Sequence, residues 1–277
     1  MRQRPKTALA LSGGGMFGAY QAGVWQELAS FFQPDIVVGA SVGSLNGWLI
    51  ASACEPSVLT DRWQNLESIE RLPWRIPRKL SDGLIDASLL EDWIREMCAH
   101  SNPQCEYGAV LTRVRSLKPR LFRWPEVTWQ HVAGSCAVPF FLRHYRFDGQ
   151  VYTDGGFLDP SPVWAAMEMG ADVIVSVNVL RHRPALVRAM VKTFQTCGRY
   201  RPPSAAGRTI IDIDPICSLG GPKDSMYWSK GNAKRWIQQG RQDALARKHF
   251  LIECLQGDRF HCEPRQRTAW PHIGSTG

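Results

Sequence analysis

The sequence predicts an α/β fold with a mainly parallel central sheet. From the N-terminus onward, apolar segments of strand length alternate with segments of helix length, the order that crossover helices between parallel strands produce. The later segment ADVIVSVNVL is continuously apolar, as in a strand buried on both faces. The chain has 277 residues, 44% of them hydrophobic, so one large domain with a sizeable core is expected.

The first hundred residues predict two strand–helix units in succession. Residues 7–11 are expected to form a buried strand and residues 19–31 a helix. Residues 35–38 predict a second strand, followed by a helix over about 42–54. Residues 56–99 are expected to be mainly helical with an irregular middle.

The rest of the chain predicts a hairpin and further strands and helices. The expected elements are, in order, strands at 107–115 and 119–124, a helix from 129 that stops at Pro139, a hairpin turning at Asp148-Gly149, a helix at 161–170, strands within 171–180 and 208–216, and helices over 231–255. We predict a single domain over 1–277, with a core at about 7–180, a C-terminal strand and helix extension at about 208–255, and a loose tail at 256–277.

Cysteine content, the lengths of the apolar segments and net charge predict the cellular compartment and the kinds of partner. Eight cysteines without a C-x-x-C pair, several in apolar segments, predict buried, reduced thiols. No apolar run has the length of a signal-peptide core or a membrane span, so a cytoplasmic location is expected, with peripheral membrane contact left open. The formal charge of +8 suits anionic lipid, acidic metabolites or a solvated basic surface, and nucleic-acid binding, which has only this charge in its favour, is not expected.

Residues 12–18, SGGGMFG, place Gly13, Gly15 and Gly18 in a G-x-G-x-x-G pattern between the first strand and helix. This pattern is typical of a dinucleotide-binding turn. Such a site also needs an acidic residue at the far end of the second strand, whereas Asp35 stands at its start. A nicotinamide or flavin enzyme is therefore kept only as a weaker alternative.

The far end of the second strand carries GASVG, Gly39–Gly43, a G-x-S-x-G motif between strand and helix. In this context the sharp turn exposes the serine hydroxyl, and glycines at both ends remove side chains that would crowd the turn. The helix that follows directs its positive dipole end toward a developing oxyanion. Ser41 is therefore the candidate nucleophile of the chain.

A serine nucleophile needs oxyanion donors and a base. The backbone N–H groups of Gly13, Gly14 and Gly15 are candidate donors, because bare glycines let several amides converge on one oxygen. None of the seven histidines lies in a distinctive setting. Asp154 follows a predicted strand and precedes Gly155-Gly156, so it is either a base at a cleft or part of an ordinary Asp-Gly turn.

In their order, the blocks SGGGMFG, GASVG and DGG (Asp154–Gly156) resemble those of the patatin-like phospholipases, over roughly residues 7–180. The resemblance implies a patatin-like, three-layer α/β/α fold and a serine–aspartate dyad without histidine. Ser41 would be the nucleophile and Asp154 the base, with Gly13, Gly14 and Gly15 as oxyanion donors and with no metal or cofactor. It also implies an acyl lipid or phospholipid substrate, hydrolysed through an acyl-enzyme.

One position departs from the family pattern, since Phe17 stands where Arg or Lys is usual. This departure keeps a non-catalytic lipid- or protein-binding module open. An acyltransferase of the same fold also stays open, because it would share the acyl-enzyme with a hydrolase. The segment LPWRIPRKL, residues 72–80, is either a loop that settles on anionic membrane or an ordinary surface loop. The oligomeric state cannot be inferred from the sequence.

Overall fold

The computed structural model describes residues 4–66, 82–181, 191–193, 195–198, 200–201, 203–204 and 207–256. Two features expected from the sequence, the basic segment 72–80 and the tail after residue 256, lie outside the described residues. None of the described helices is long and apolar enough to cross a bilayer.

Within the described residues, eight strands form one mixed sheet. The strands are β1 Thr7–Leu11, β2 Ile36–Ala40, β3 Glu106–Arg113, β4 Lys118–Arg123, β5 Tyr145–Phe147, β6 Gln150–Thr153, β7 Val173–Val177 and β8 Thr209–Ile213. Their order is β5-β6-β3-β2-β1-β7-β8, with β4 paired to β3. The neighbours from β3 across to β8 are parallel, and the pairs that include β4, β5 or β6 are antiparallel. The predicted α/β fold with a mainly parallel centre is confirmed.

The helices with defined bounds are α1 Gly18–Leu28, α2 Val42–Ala51, α3 Pro56–Gln64, α4 Ser88–Ala99, α5 Trp129–Ser135, α6 Val163–Glu168, α7 Pro222–Met226, α8 Lys230–Ala246 and α9 Lys248–Gln256. Local chemistry explains several of their starts. Pro56 and Pro222 occupy first-turn positions, where proline lacks only an N–H that would have no helical partner. Ser229 caps α8 by accepting a hydrogen bond from the Asn232 N–H at 3.2 Å.

Two apolar clusters lie on opposite faces of the sheet. Leu9 and Leu11 of β1 belong to the larger cluster, which includes residues of α1, α2 and α8. Ala8 and Ala10 belong to the smaller cluster, which includes residues of α6. Because successive side chains of a strand point to opposite faces, this alternation places helices on both sides of the sheet and gives three layers.

Several element ends differ from the sequence-based expectation. The predicted helix over 42–54 ends at Ala51, because the backbone of Ala53 adopts a left-handed conformation with φ 56°. The helix expected to reach Pro139 ends at Ser135, after which the N–H groups of Cys136 and Ala137 bond three residues back in a tightened last turn. Among the described cysteines, the expectation of buried thiols is confirmed for Cys254 and was wrong for Cys197 and Cys217, which are exposed. The remaining four are half-buried: Cys54, Cys98, Cys105 and Cys136.

The edge of β3 brings distant parts of the chain together. Strands β2 and β4 both pair with residues 108–110 of β3, so they occupy opposite edges. Strand β6 pairs with Thr112 and Arg113 on the edge that β2 leaves free, because β4 already pairs with these residues on the other edge. Thus β2 ends after Ala40, opposite Val110, and β6 ends after Thr153, opposite Thr112. The residues that follow these two strands therefore meet.

Candidate active site

Ser41 occupies a sharp turn between β2 and α2. Its backbone has φ 55° and ψ −132°, a conformation that non-glycine residues rarely adopt and that often marks functional sites. A Cβ atom on Gly39 would lie 2.1 Å from the carbonyl oxygen of Gly43, and one on Gly43 would lie 2.2 Å from that of Leu11. Both glycines are therefore required by close backbone contacts within the turn.

The main chain of Ser41 is fully hydrogen-bonded. Its N–H donates to Ser135 Oγ at 2.9 Å, and Ser135 Oγ donates in turn to the Val110 carbonyl at 2.6 Å. The Ser41 carbonyl accepts from the N–H and the hydroxyl of Ser44, at 2.8 and 2.7 Å. These bonds fix the backbone of the turn while the Ser41 hydroxyl lines a cavity.

Asp154 directly follows β6 and is buried, with 6% of its surface exposed. Its N–H donates to the Ala137 carbonyl at 2.9 Å, and its Oδ1 accepts from the Gly156 N–H at 2.7 Å. Burial raises the pKa of Asp154 to about 6, while the nearby Ser41 hydroxyl and the Gly156 N–H act to lower it. The Ser41 hydroxyl lies near enough to lower this pKa. Within the described part of the chain, however, Asp154 Oδ2 does not receive a hydrogen bond of ordinary geometry. Such bonds are often loose before substrate binds.

The sequence-predicted residues from all three blocks come together. A Cβ on Gly13 would lie 3.1 Å from Ser41 Cβ and 3.4 Å from Gly156 Cα. A Cβ on Gly155 would lie 1.8 Å from the Val110 carbonyl oxygen. The glycines around Ser41 and Asp154 thus permit close packing of three separate segments.

The glycine-rich loop, residues 12–18, offers fewer donors than the sequence predicted. The Gly13 N–H already donates to the Pro160 carbonyl at 2.9 Å. The N–H groups of Gly14 and Gly15 have no acceptor within the described part of the chain. Gly15 has φ 57°, and a Cβ there would lie 2.1 Å from the Ser225 carbonyl oxygen. The structure therefore leaves two of the three expected amides available to an anion.

A buried polar network supports this loop, and the sequence analysis did not identify it. Gln21 Nε2 donates to the Ser12 carbonyl at 2.6 Å, and Asn46 Nδ2 donates at 3.0 Å both to Gln21 Oε1 and to the Gly18 carbonyl. Trp63 Nε1 completes the network by donating to Asn46 Oδ1 at 3.0 Å. Gln21 and Asn46, each flanked by small or apolar residues in α1 and α2, were the available signal.

Phe17, at the position where the resemblance predicts a basic residue, is part of the core. It is 5% exposed, and its ring meets the Trp236 ring edge-on at a centroid distance of 5.1 Å. Trp236 is itself fixed by donation from Nε1 to the Leu219 carbonyl at 2.7 Å. The end of the glycine-rich loop is thus anchored by aromatic packing against α8.

Ser41 and Asp154 line a cavity of about 530 Å³, within the size range of small-molecule sites. Most of its wall is apolar, with contributions from Leu45, Leu49, Leu59, Trp63, Leu90 and Phe157. Asp154 and Arg62 are the charged residues among its described lining.

The histidines that the structure describes do not line this cavity. His131 instead accepts a hydrogen bond from the Thr128 N–H at the start of α5, and its ring stacks on Phe147 at 4.1 Å between centroids. Burial lowers the pKa of His131 to about 4, so the ring is neutral at neutral pH. These contacts indicate a structural role.

Asp35, the acidic residue tested against the dinucleotide pattern, is engaged at the start of the sheet. Its carboxylate accepts from the Thr7 N–H at 2.9 Å and pairs with Arg4. These bonds lie at the opposite end of β2 from Ser41. They indicate that Asp35 has a structural role.

Comparisons with known proteins identify relatives along most of the chain. Lysophospholipase nte1 of Aspergillus oryzae is 26% identical over 178 residues, covering 62% of this chain and 12% of that protein. Patatin-like phospholipase domain-containing protein 7 of Rattus norvegicus is 26% identical over 309 residues, covering 87% and 22%. An uncharacterized NTE family protein of Mycobacterium tuberculosis is 26% identical over 180 residues, covering 63% and 49%. The chain therefore spans less than half the length of these curated relatives.

Two solved structures are also similar. VipD from Legionella pneumophila has a TM-score of 0.45 at 12% identity and covers 88% of this chain and 66% of its own. The type III effector protein ExoU has a TM-score of 0.46 at 14% identity, covering 90% and 53%. The family model described as patatin-like phospholipase matches residues 9–167, more than half of the chain. This chain belongs to the patatin-like phospholipase family.

Proposed function

We propose that the protein is a lipid acyl hydrolase in which Ser41 is the nucleophile and Asp154 the base. The observation that carries this proposal is the strained turn that holds Ser41 beside a buried carboxylate, in one apolar cavity with two unpaired glycine amides. Family membership supports the same activity. A nucleophile, a base and preorganised donors are the groups that acyl transfer requires.

In the proposed reaction, Ser41 Oγ attacks the ester carbonyl while its proton passes to Asp154. The N–H groups of Gly14 and Gly15 stabilise the oxyanion, and each such donor is worth about 2.7–4 kcal/mol of barrier. Asp154 returns the proton to the leaving alcohol, which leaves an acyl-enzyme on Ser41. Asp154 then accepts a proton from the water that attacks the acyl-enzyme. It passes this proton to Ser41 Oγ as the ester bond to Ser41 breaks, which releases the fatty acid and restores both residues.

The pKa of about 6 suits Asp154 to this role. At neutral pH most of the carboxylate is ionised and can accept a proton, and its basicity exceeds that of an ordinary aspartate. Burial is the cause of this raised pKa, so the apolar cavity that would hold the acyl chain also activates the base.

The cavity suits an acyl chain whose head group carries a negative charge. Its apolar wall suits a hydrocarbon chain, and Arg62 supplies a cation beside Trp93, whose ring centroid lies 6.0 Å from the guanidinium. The relative nte1 is named a lysophospholipase. We therefore propose lysophospholipids as the first substrates to test.

The test is hydrolysis of a p-nitrophenyl ester and of a lysophospholipid by Ser41→Ala and Asp154→Asn. Each change is expected to lower kcat by about 10³-fold or more, since removing a nucleophile or its base typically does so. Ser218→Ala and Ser225→Ala are matched controls, because these serines line the same cavity, and they are expected to keep activity. Full activity of Ser41→Ala would overturn the proposal, and a wild-type protein inactive on both substrates would favour the non-catalytic module.

A further inference from the structure

Ser135 lies behind the cavity and is not part of its lining. It is the last residue of α5 and is fully buried. Its side chain nevertheless contacts the main chain of the proposed nucleophile.

The directions of its two hydrogen bonds are unambiguous. The Ser41 N–H can only donate, so Ser135 Oγ accepts it at 2.9 Å. The Val110 carbonyl can only accept, so the Ser135 hydroxyl proton points to it at 2.6 Å. The hydroxyl therefore connects a backbone donor after β2 with a backbone acceptor in β3.

This connection stands where β2 leaves the sheet. Ala40 pairs with Val110, and the next residue, Ser41, turns away into α2. Without the hydroxyl, the Ser41 N–H and the Val110 carbonyl would both lose a buried partner, since direct pairing ends at this point. The Ser135 side chain thus replaces a sheet hydrogen bond and lets the strained turn form without unpaired buried groups.

The main chain of Ser135 reaches the other half of the site. The Gly155 N–H donates to the Ser135 carbonyl at 3.0 Å, and the Asp154 N–H donates to the Ala137 carbonyl at 2.9 Å. The end of α5 therefore holds the segment that carries Asp154. One residue is bonded both to the turn of Ser41 and to the chain next to Asp154.

We propose that Ser135 is a positioning residue that sets the geometry between Ser41 and Asp154, an inference that rests on the proposed function. Its hydroxyl holds the backbone of the Ser41 turn, and its carbonyl holds the segment after Asp154. Loss of the hydroxyl lets the Ser41 turn move relative to Asp154. Substrate binding is expected to stay the same, because Ser135 does not line the cavity.

The test compares Ser135→Ala with Ser135→Thr, which keeps a hydroxyl at the same position. On a soluble p-nitrophenyl ester, Ser135→Ala is expected to lower kcat by about 10- to 100-fold, since small misplacements of reacting groups have effects of this size. KM is expected to stay at the wild-type value. Ser135→Thr is expected to recover most of the lost kcat.

Ser101→Ala is the matched control. The Ser101 hydroxyl also accepts from an N–H, that of Trp48 at 3.0 Å, and donates to a carbonyl, that of Met97 at 2.8 Å, but it does not contact Ser41 or Asp154. Its removal is expected to lower thermal stability while kcat stays near the wild-type value. Equal losses of kcat in Ser135→Ala and Ser101→Ala at equal thermal stability would overturn the positioning role.

A further pair keeps the inference testable if Ser135→Ala does not fold. Ser135→Cys carries a group that donates and accepts only weakly, so it is expected to lose kcat relative to Ser135→Thr. Equal kcat in these two variants would overturn the inference. The proposed function is judged separately: inactive Ser41→Ala together with fully active Ser135→Ala refutes only the positioning role, whereas active Ser41→Ala refutes the catalytic assignment itself.

Discussion

The Ser41 turn and the glycine-rich loop lie side by side but differ in how their main-chain groups are used. In the turn, both the N–H and the carbonyl of Ser41 are hydrogen-bonded. In the loop, the amides of Gly14 and Gly15 have no acceptor within the described residues. A nucleophile is fixed when its own main-chain groups are hydrogen-bonded, whereas oxyanion donors must keep their N–H groups unpaired until the substrate binds.

The two regions also depend on different parts of the chain. Gly39 and Gly43 of the turn are confined by the turn's own backbone and by β1. In the loop, Gly15 packs against Ser225, and Phe17 packs against Trp236 of α8. These loop contacts lie beyond residue 167, where the match to the family model ends. The loop's shape therefore depends in part on the C-terminal part of this chain.

Substitution of Gly39 in the Ser41 turn is expected to cost the most stability. Gly39→Ala forces a Cβ to within 2.1 Å of a backbone oxygen, which nothing flexible can relieve, so a loss of more than about 5 kcal/mol is expected. Soluble yield and urea unfolding measure it. Gly47→Ala on α2 is the control, because its Cβ would meet only side-chain atoms at 3.3 Å or more, and it is expected to fold normally. A stable Gly39→Ala protein would show that the turn is not confined as described.

The loop's dependence on α8 is tested by Phe17→Ala. Removing this buried ring from its contact with Trp236 is expected to cost about 3–5 kcal/mol of unfolding free energy, as for other buried aromatic side chains. Phe250→Ala removes a ring that is 45% exposed and is expected to change stability little. Equal urea midpoints for the two variants would show that Phe17 does not anchor the loop.

A smaller effect of opposite sign is expected at Asp154. The folded-state pKa of about 6 exceeds the ordinary value of 3.8, so the folded protein binds this proton more tightly than the unfolded chain. Wild-type stability should therefore rise as pH falls from about 6 toward 4 through this group. Asp154→Asn is expected to be more stable than wild type by about 2–3 kcal/mol at pH 7.5.

Thermal and urea unfolding at pH 7.5 and pH 4.5 measure this difference. The advantage of Asp154→Asn should shrink at the lower pH, because the wild-type carboxyl is then protonated. If Asp154→Asn were less stable than wild type at pH 7.5, burial of the ionised Asp154 carboxylate would not be destabilising. A confirmed difference would show that ionised Asp154 lowers the stability of the fold while its raised pKa makes it a stronger base.

The sequence predicted those features that depend on local pattern. Strand β1 has the expected bounds, and DGG directly follows strand β6, as predicted. GASVG lies at the expected junction of strand and helix, although β2 extends through Gly39 and Ala40, two residues beyond the predicted end. Residue spacing could not show that, among the described residues, the Gly13 amide is paired while those of Gly14 and Gly15 are not. The partner of Gly13 is the Pro160 carbonyl, which lies far along the chain. Ser135 was missed for the same reason, since 94 positions separate it from Ser41.

The position of a covalent adduct shows which serine is the nucleophile. A soluble fluorophosphonate, allowed to react with the wild-type protein and located by peptide mass spectrometry, is expected to label Ser41 and to leave Ser218 and Ser225 unmodified. The labelling rate should fall about tenfold per pH unit below about pH 6, because protonated Asp154 cannot accept the Ser41 proton. Labelling of Ser218 or Ser225 instead, or unlabelled Ser41 in protein that hydrolyses esters, would contradict the account.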